Sequence, residues 1–325
     1  MRFAAAATVV VTFAAFWFGC SSSSSTAPAA TPEEQCASYA DSFCNKAQGC
    51  AGIYVQLGYG DVATCKTRFQ EACKRTVTAP NTGFTAAFLT KCVASVPGLD
   101  CQALFEGGQT ADCVPPPGLV DDGKGCGDDS QCKSGFCAID ESAVTCGSCG
   151  PKPAEGAACV GNDCPIGLHC NDGKCVKSAG VGATCDVGHP CGAFLDCAAG
   201  KCATQAQNLG DACDDKAGLS CDLRKGIVCI GKKCEKLLLV GEGKECGLHM
   251  SGLKVNDVTL CEKSGFCEGL DIAKAKLLGV CKPAAKDGEA CKTTSGDLAS
   301  GPNCLPTATC IAGVCRVRDP ATCTK

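Results

Sequence analysis

Residues 155–175 read EGAACVGNDCPIGLHCNDGKC, with Cys159, Cys164, Cys170, Cys175 and a histidine, His169, beside the third cysteine. Thiols at this spacing can do three kinds of chemistry. Deprotonated and joined by an imidazole they hold zinc; as a close pair with a lowered pKa they exchange disulfides; oxidised, they cross-link the chain. Compartment and recurrence decide among these, because thiolates need a reducing environment and staples an oxidising one.

Both are readable. Of 325 residues 35 are cysteine, above the ~8–10% that marks a disulfide scaffold. The chain opens MRFAAAATVVVTFAAFWFGC, one charge at Arg2 followed by an apolar run over residues 3–18, which is short of the ~20 residues of a membrane span and reads as an export signal. Gly19-Cys20 followed by SSSSSTAPAATP resembles a bacterial lipoprotein, although Trp17 and Phe18 stand where a lipobox carries leucine and a small residue. That resemblance implies cleavage before Cys20, lipid on its thiol, and anchoring to the cell envelope, with Ser21 suited to the outer membrane or cell surface. A small-x-small site at residues 27–29 is the alternative, giving a secreted soluble protein. Either cut removes Cys20 and leaves 34 cysteines, an even number, as full pairing requires.

Net charge is -4 and the only tryptophan, Trp17, lies in the signal. Nucleic acid is therefore an unsuitable partner, since neither a clustered basic surface nor aromatic stacking platforms are available.

Three regions should position the cysteines. Residues 31–113 read as a helical cysteine-rich domain with eight cysteines. Thr31, Pro32 and Glu34 form a helix start with a capping box, and Cys36, Ala40, Phe43, Cys44 and Ala47 make one apolar stripe that Gly49 and Gly52 should end. A second helix is expected from near Asp61 with Cys65, Phe69 and Cys73 at steps of four, and a third over residues 85–96. Antiparallel pairing of the first two predicts Cys36 with Cys73 and Cys44 with Cys65. Residues 114–120, with three consecutive prolines, read as an extended linker that packs into neither neighbour.

Residues 121–325 hold six cysteine-rich repeats, whose first cysteines are Cys126, Cys159, Cys185, Cys213, Cys246 and Cys291. Each is preceded at three residues by glycine: Gly123, Gly156, Gly182, Gly210, Gly243, Gly288. Most close on a glycine just before the last cysteine, and two short strands with a tight turn are expected per repeat. The fold class is thus small and disulfide-rich, a stapled helical domain followed by a tandem array of short two-stranded repeats.

Motifs such as GAACVGNDCPIGLHCNDGKC and GATCDVGHPCGAFLDCAAGKC resemble the Dickkopf N-terminal cysteine-rich domain as it occurs in tandem in exported bacterial proteins. The resemblance covers roughly residues 121–315 and implies an exported, disulfide-knotted, non-catalytic module on a surface protein; no binding residue carries over. Within a repeat the expected pairing is first with third and second with fourth, one of three possibilities: Cys159 with Cys170, Cys164 with Cys175, Cys185 with Cys197, Cys191 with Cys202.

Other chemistry is weak. CGSC at Cys146 and Cys149 lacks the following helix of a redox pair, being succeeded by Gly150-Pro151-Lys152-Pro153; Cys149 fits the closing position, and Cys146 and Cys323 are left to pair with each other across the array. His169, His189 and His249 share no position in the repeat, so no metal ligand set is assigned. Asp121, Asp122, Asp128, Asp129, Asp214 and Asp215 do not have EF-hand spacing. No hydrolase motif is present, and neither an enzyme nor a cofactor is expected. Residues 251–260 and 268–280, long insertions in the fifth repeat, are a candidate binding surface or neutral loop growth. The expectation is a non-enzymatic envelope lipoprotein that binds, adheres or scaffolds, with a protein or surface polymer as partner. The alternatives are a secreted protease inhibitor and, behind it, a thiol redox or metal-binding protein.

Overall fold

Thr31 caps the first helix as its residue type dictates. In a computed structural model describing residues 30–106, 110–139, 145–159, 164–165, 167–186, 188–252, 254–271, 274–292 and 301–323, its hydroxyl accepts from the Glu34 amide at 3.2 Å while the Glu34 carboxylate accepts from the Thr31 amide at 2.8 Å. The signal, Cys20 and the tether through residue 29 lie outside the described residues. Helix α1 (Pro32–Tyr59) follows from this reciprocal cap. It does not stop at Gly52: Ala51 leaves the helical region (φ −160°, ψ 69°) and the helix then resumes to Tyr59. Two glycines suffice for a kink, and the burial of Val55 to 3% exposure beyond it rewards continuation. Gly60 ends α1 with φ 81°, a left-handed conformation open to glycine.

Asp61 caps α2 (Val62–Val77) and Thr85 caps α3 (Ala86–Ser95), each through its side-chain oxygen to an amide three residues on. Beyond these a short α4 (Cys101–Phe105) is present that the apolar pattern does not announce. The helices are stapled by Cys36–Cys73, Cys44–Cys65, Cys50–Cys101 and Cys92–Cys113. Around them pack Leu89, fully buried, and a run of rings in which Phe43 lies 4.3 Å from Phe69.

The six repeats share one hydrogen-bond scheme. The glycine three residues before each first cysteine donates its N–H to the carbonyl of the fourth cysteine at 2.7–2.8 Å, as in Gly156 to Cys175 and Gly288 to Cys315. The fourth cysteine's N–H returns to the residue after that glycine, Cys175 to Ala157 and Cys315 to Glu289, both at 2.9 Å. All six glycines have φ between 77° and 86°, and a Cβ at any of them would meet nothing within 4 Å. Backbone conformation, not crowding, therefore fixes glycine there.

Each lead-in is thus a third extended segment beside a hairpin. The hairpins are β4 (His169–Asn171) with β5 (Lys174–Val176), β6 (Leu195–Ala198) with β7 (Lys201–Thr204), and β14 (Ala308–Ile311) with β15 (Val314–Val317). Their turns have positive φ at both central residues, Asp172-Gly173, Ala199-Gly200 and Ala312-Gly313, the type I′ arrangement that matches strand twist. The first repeat makes a three-stranded sheet in which β3 (Gly147–Cys149) lies between β1 (Gly125–Cys126) and β2 (Cys137–Ala138).

A uniform array of two-stranded repeats is not what the fourth and fifth repeats build. There β8 (Ile227–Ile230), β9 (Lys233–Val240), β10 (Glu245–Ser251), β11 (Lys254–Cys261), β12 (Phe266–Glu268) and β13 (Leu278–Lys282) form one six-stranded sheet, ordered β12-β13-β10-β11-β9-β8. Most of the insertion at 251–260 is strand β11, which runs parallel to β9 with Val258 opposite Leu237 and Leu260 opposite Leu239. Thr259 and Cys261 alternate along one buried face of β11, so added length became sheet instead of loop.

The proline-rich segment also departs from expectation, because it is packed on both sides. The Leu119 N–H donates to Asn81 O in the helical part at 2.9 Å, while Gly118 and Val120 donate to Cys132 and Gln131 carbonyls of the first repeat. A Cβ on Gly83 would sit 1.8 Å from the Pro116 oxygen. Thr31–Lys325 is accordingly one compact unit, with the repeats docked around the helices.

That docking uses groups a helix end leaves open. The Gln56, Leu57 and Gly58 carbonyls in the last turn of α1 accept from Lys263 N, Ser264 N and Ser264 Oγ of the fifth repeat, at 3.0, 2.6 and 2.9 Å. Arg68, 9% exposed on α2, grips the sixth repeat through two bonds to Asp287 (2.6 and 2.8 Å) and one to Pro306 O. Glu106 accepts from Ala193 N of the third repeat at 2.6 Å, and Phe105 meets Phe194 at 5.0 Å between centroids.

In the fourth repeat Asp222, 1% exposed, holds Arg224 through two bonds (2.8 and 2.7 Å), and the guanidinium lies 4.1 Å over the Phe194 ring. Burial alone would raise the Asp222 pKa; the Arg224 hydrogen bonds and charge outweigh it, and the carboxyl is held below its ordinary value. A folded pKa below the unfolded one gives stability that is present above the unfolded value and drains as pH falls through the folded value, that is, below about pH 4. Asp222→Asn should therefore lower unfolding stability by about 1–3 kcal/mol at pH 7, and urea titrations at pH 7 and pH 3 should show the gap from the parent closing in acid.

Candidate functional site

Every cysteine from Cys36 to Cys323 is bridged, in 17 disulfides. The structure joins Cys159 to Cys170, Cys164 to Cys175, Cys185 to Cys197 and Cys191 to Cys202. First-to-third and second-to-fourth bridging holds in all six repeats, with Cys149 standing fourth in the first. In CGSC, Cys149 is bonded to Cys132 and Cys146 to Cys323, so the two sulfurs serve different partners and not each other.

The histidines keep local company. His169 Nδ1 lies 3.3 Å from Ser178 Oγ, His189 Nδ1 is 2.9 Å from Asp186, and His249 is 3.7 Å from Glu245. The acids of the turns are likewise engaged: Asp121 with Lys133 at 2.6 Å, Asp128 with the Ser130 N–H at 2.9 Å, Asp129 with the Cys137 N–H at 2.7 Å, Asp214 with Lys232 at 3.3 Å.

Among the described residues a recess lies at the seam where the array's two ends meet the helices. Cys146–Cys323 spans 177 residues and joins the first repeat to the segment after the sixth. Beside it Gln131, 0% exposed, donates its amide to Pro80 O of the helical part (3.0 Å) and Pro320 O of the C-terminal turn (3.2 Å), and its oxygen accepts from Gly127 N at 2.8 Å. Three separate stretches converge on one side chain. Gly127 is there because Pro320 leaves no space: a Cβ would come 2.6 Å from the Pro320 Cα.

Next to this junction opens a cavity of about 480 Å³, within the usual range of small-molecule sites. Its floor is Tyr39, Phe84 and Phe88 of the helical part, its walls include Val114, Pro116, Phe136 and Pro320, and charge enters from Asp128, Asp129, Lys152 and Arg318. Phe84 packs edge-on to Phe88 at 4.9 Å and to Tyr39 at 6.4 Å. Burial, aided by the charge of Asp128, pushes the Tyr39 phenol above its ordinary pKa, so it stays a neutral hydrogen-bonding group through the physiological range. An apolar floor with mixed charge at the wall suits binding of an amphipathic group.

Sequence pattern marks Asp128 and Asp129 only as turn acids and Cys164 only as a staple, and nothing in it brings these residues and the aromatic floor to one recess. The insertion at 268–280 stands apart from the cavity, forming part of β12, a turn closed by Asp271 with Lys276, and β13. Among the described residues no helix is long and apolar enough to cross a membrane. Comparison with protein-family models, curated proteins and solved structures finds no match.

Proposed function

We propose that this chain is a non-enzymatic binding or scaffolding module of the cell envelope, lipid-anchored through Cys20 at the outer membrane or cell surface, with a protein or surface polymer as partner. The disulfides themselves indicate an oxidising location. The observation that carries the reading is the seam recess, whose walls come from four separately stapled parts. A site so built is preorganised and loses little entropy on binding.

The test adds the mature chain to whole cells and to isolated envelope polymer. Saturable binding is expected, and Ala72→Trp, which places an indole at the cavity wall from α2, should abolish it while leaving the unfolding midpoint in place. Binding unaffected by A72W removes the recess from the reading; no saturable binding removes the reading itself. Cys20→Ser should shift the protein from the membrane fraction to the soluble one.

A further inference from the structure

In every repeat the third and fourth cysteines stand directly opposite each other on paired strands, Cys170 with Cys175, Cys229 with Cys234, Cys310 with Cys315 and so on, yet they are not bonded to each other. Directly opposed residues project from the same face of a strand pair. The first and second cysteines must therefore come over that face to reach them, and all four sulfurs converge. In at least five of the repeats three sulfurs drawn from both bridges lie within 4.8 Å of one another; Cys126, Cys132 and Cys137 are one such group and Cys213, Cys221 and Cys234 another, all buried.

The geometry points to a second state of these clusters: with both bridges reduced, each repeat is a four-thiolate site for one zinc ion. Tetrahedral zinc with Zn–S near ~2.3 Å needs sulfurs about 3.8 Å apart, so each bonded pair has to part by less than ~2 Å, while three sulfurs of a cluster already lie within 4.8 Å of one another. Cα–Cα distances of 5.4–6.0 Å across the repeat bridges leave the side chains room to do so. The chemistry balances with a phosphine reductant: phosphine, disulfide and water give phosphine oxide and two thiols, and Zn²⁺ then displaces four protons from four thiols. The Cys36–Cys73 and Cys44–Cys65 bridges offer no shared site, because Cys36 and Cys44 are eight residues apart on α1, about 12 Å along the axis. One set of sulfurs thus serves as bridges where thiols oxidise and as metal ligands where they stay reduced.

The full mature chain, reduced with a water-soluble phosphine under anaerobic native conditions, should take up about one zinc per repeat by native mass spectrometry, regain protease resistance as it does so, and show thiolate-to-metal charge transfer with Co²⁺. The double variant Cys221→Ser, Cys234→Ser removes one whole bridge and should bind one zinc fewer. No uptake, an unchanged zinc count in the variant, or uptake without recovered protease resistance would each overturn the proposal.

Discussion

Gln131→Ala is expected to lower the unfolding free energy by about 3–5 kcal/mol, because it leaves the Gly127 N–H and the Pro80 and Pro320 carbonyls without their buried partner. The side chain is fully buried, so water has little access to replace it. Its orientation is fixed chemically: the amide nitrogen faces two carbonyls and the oxygen faces an N–H. Gln131→Glu is the sharper test, since it keeps the shape and the bond from Gly127 but turns a carboxylate oxygen toward two carbonyls. That raises the folded pKa of the new acid above its unfolded value. Stability is then retained below the unfolded pKa and lost as pH rises through the folded one, so the glutamate variant should approach the parent near pH 4 and fall away toward pH 7. Denaturant titrations at the two pH values decide it. Equal losses at both would mean that Gln131 acts by packing alone.

The position of Gln131 also shows what local sequence can and cannot convey. Helix starts at Thr31, Asp61 and Thr85 were readable because a cap and the amide it binds lie three residues apart. The repeat glycines were readable because one backbone conformation recurs six times. The Gln131 contacts lie 51 and 189 residues away, and glutamine in a polar turn carries no mark of burial. The cavity is drawn from several stretches far apart in sequence, brought together by the closing bridge and by docking on the helices. Arg68 is similar: on a helix of mixed polarity it reads as a solvated cation until Asp287 is brought to it. The insertion at 251–260 misleads in the opposite sense, since strand pairing with β9 depends on a partner whose parallel register local spacing does not encode.

Removing the ring-closing bridge, with Cys146→Ser and Cys323→Ser together, should cost about 2–4 kcal/mol. A free loop of 177 residues would by chain entropy give ~5 kcal/mol. The bridges nested inside that loop and the contacts to the helices shorten its effective length, which brings the figure down. The loss should be local first: hydrogen exchange at Pro320–Cys323 and at β1 should quicken before exchange in α1, whose capping by the fifth repeat is untouched. Combined with Gln131→Ala the two losses should sum to less than their parts, because both act on one seam, and once it opens the remaining contact there contributes nothing further. A strictly additive cycle would show that the bridge stabilises the array independently of the junction. Less-than-additive loss, with A72W-sensitive binding weakened in the bridgeless chain, would tie closure of the ring to the recess that closure builds.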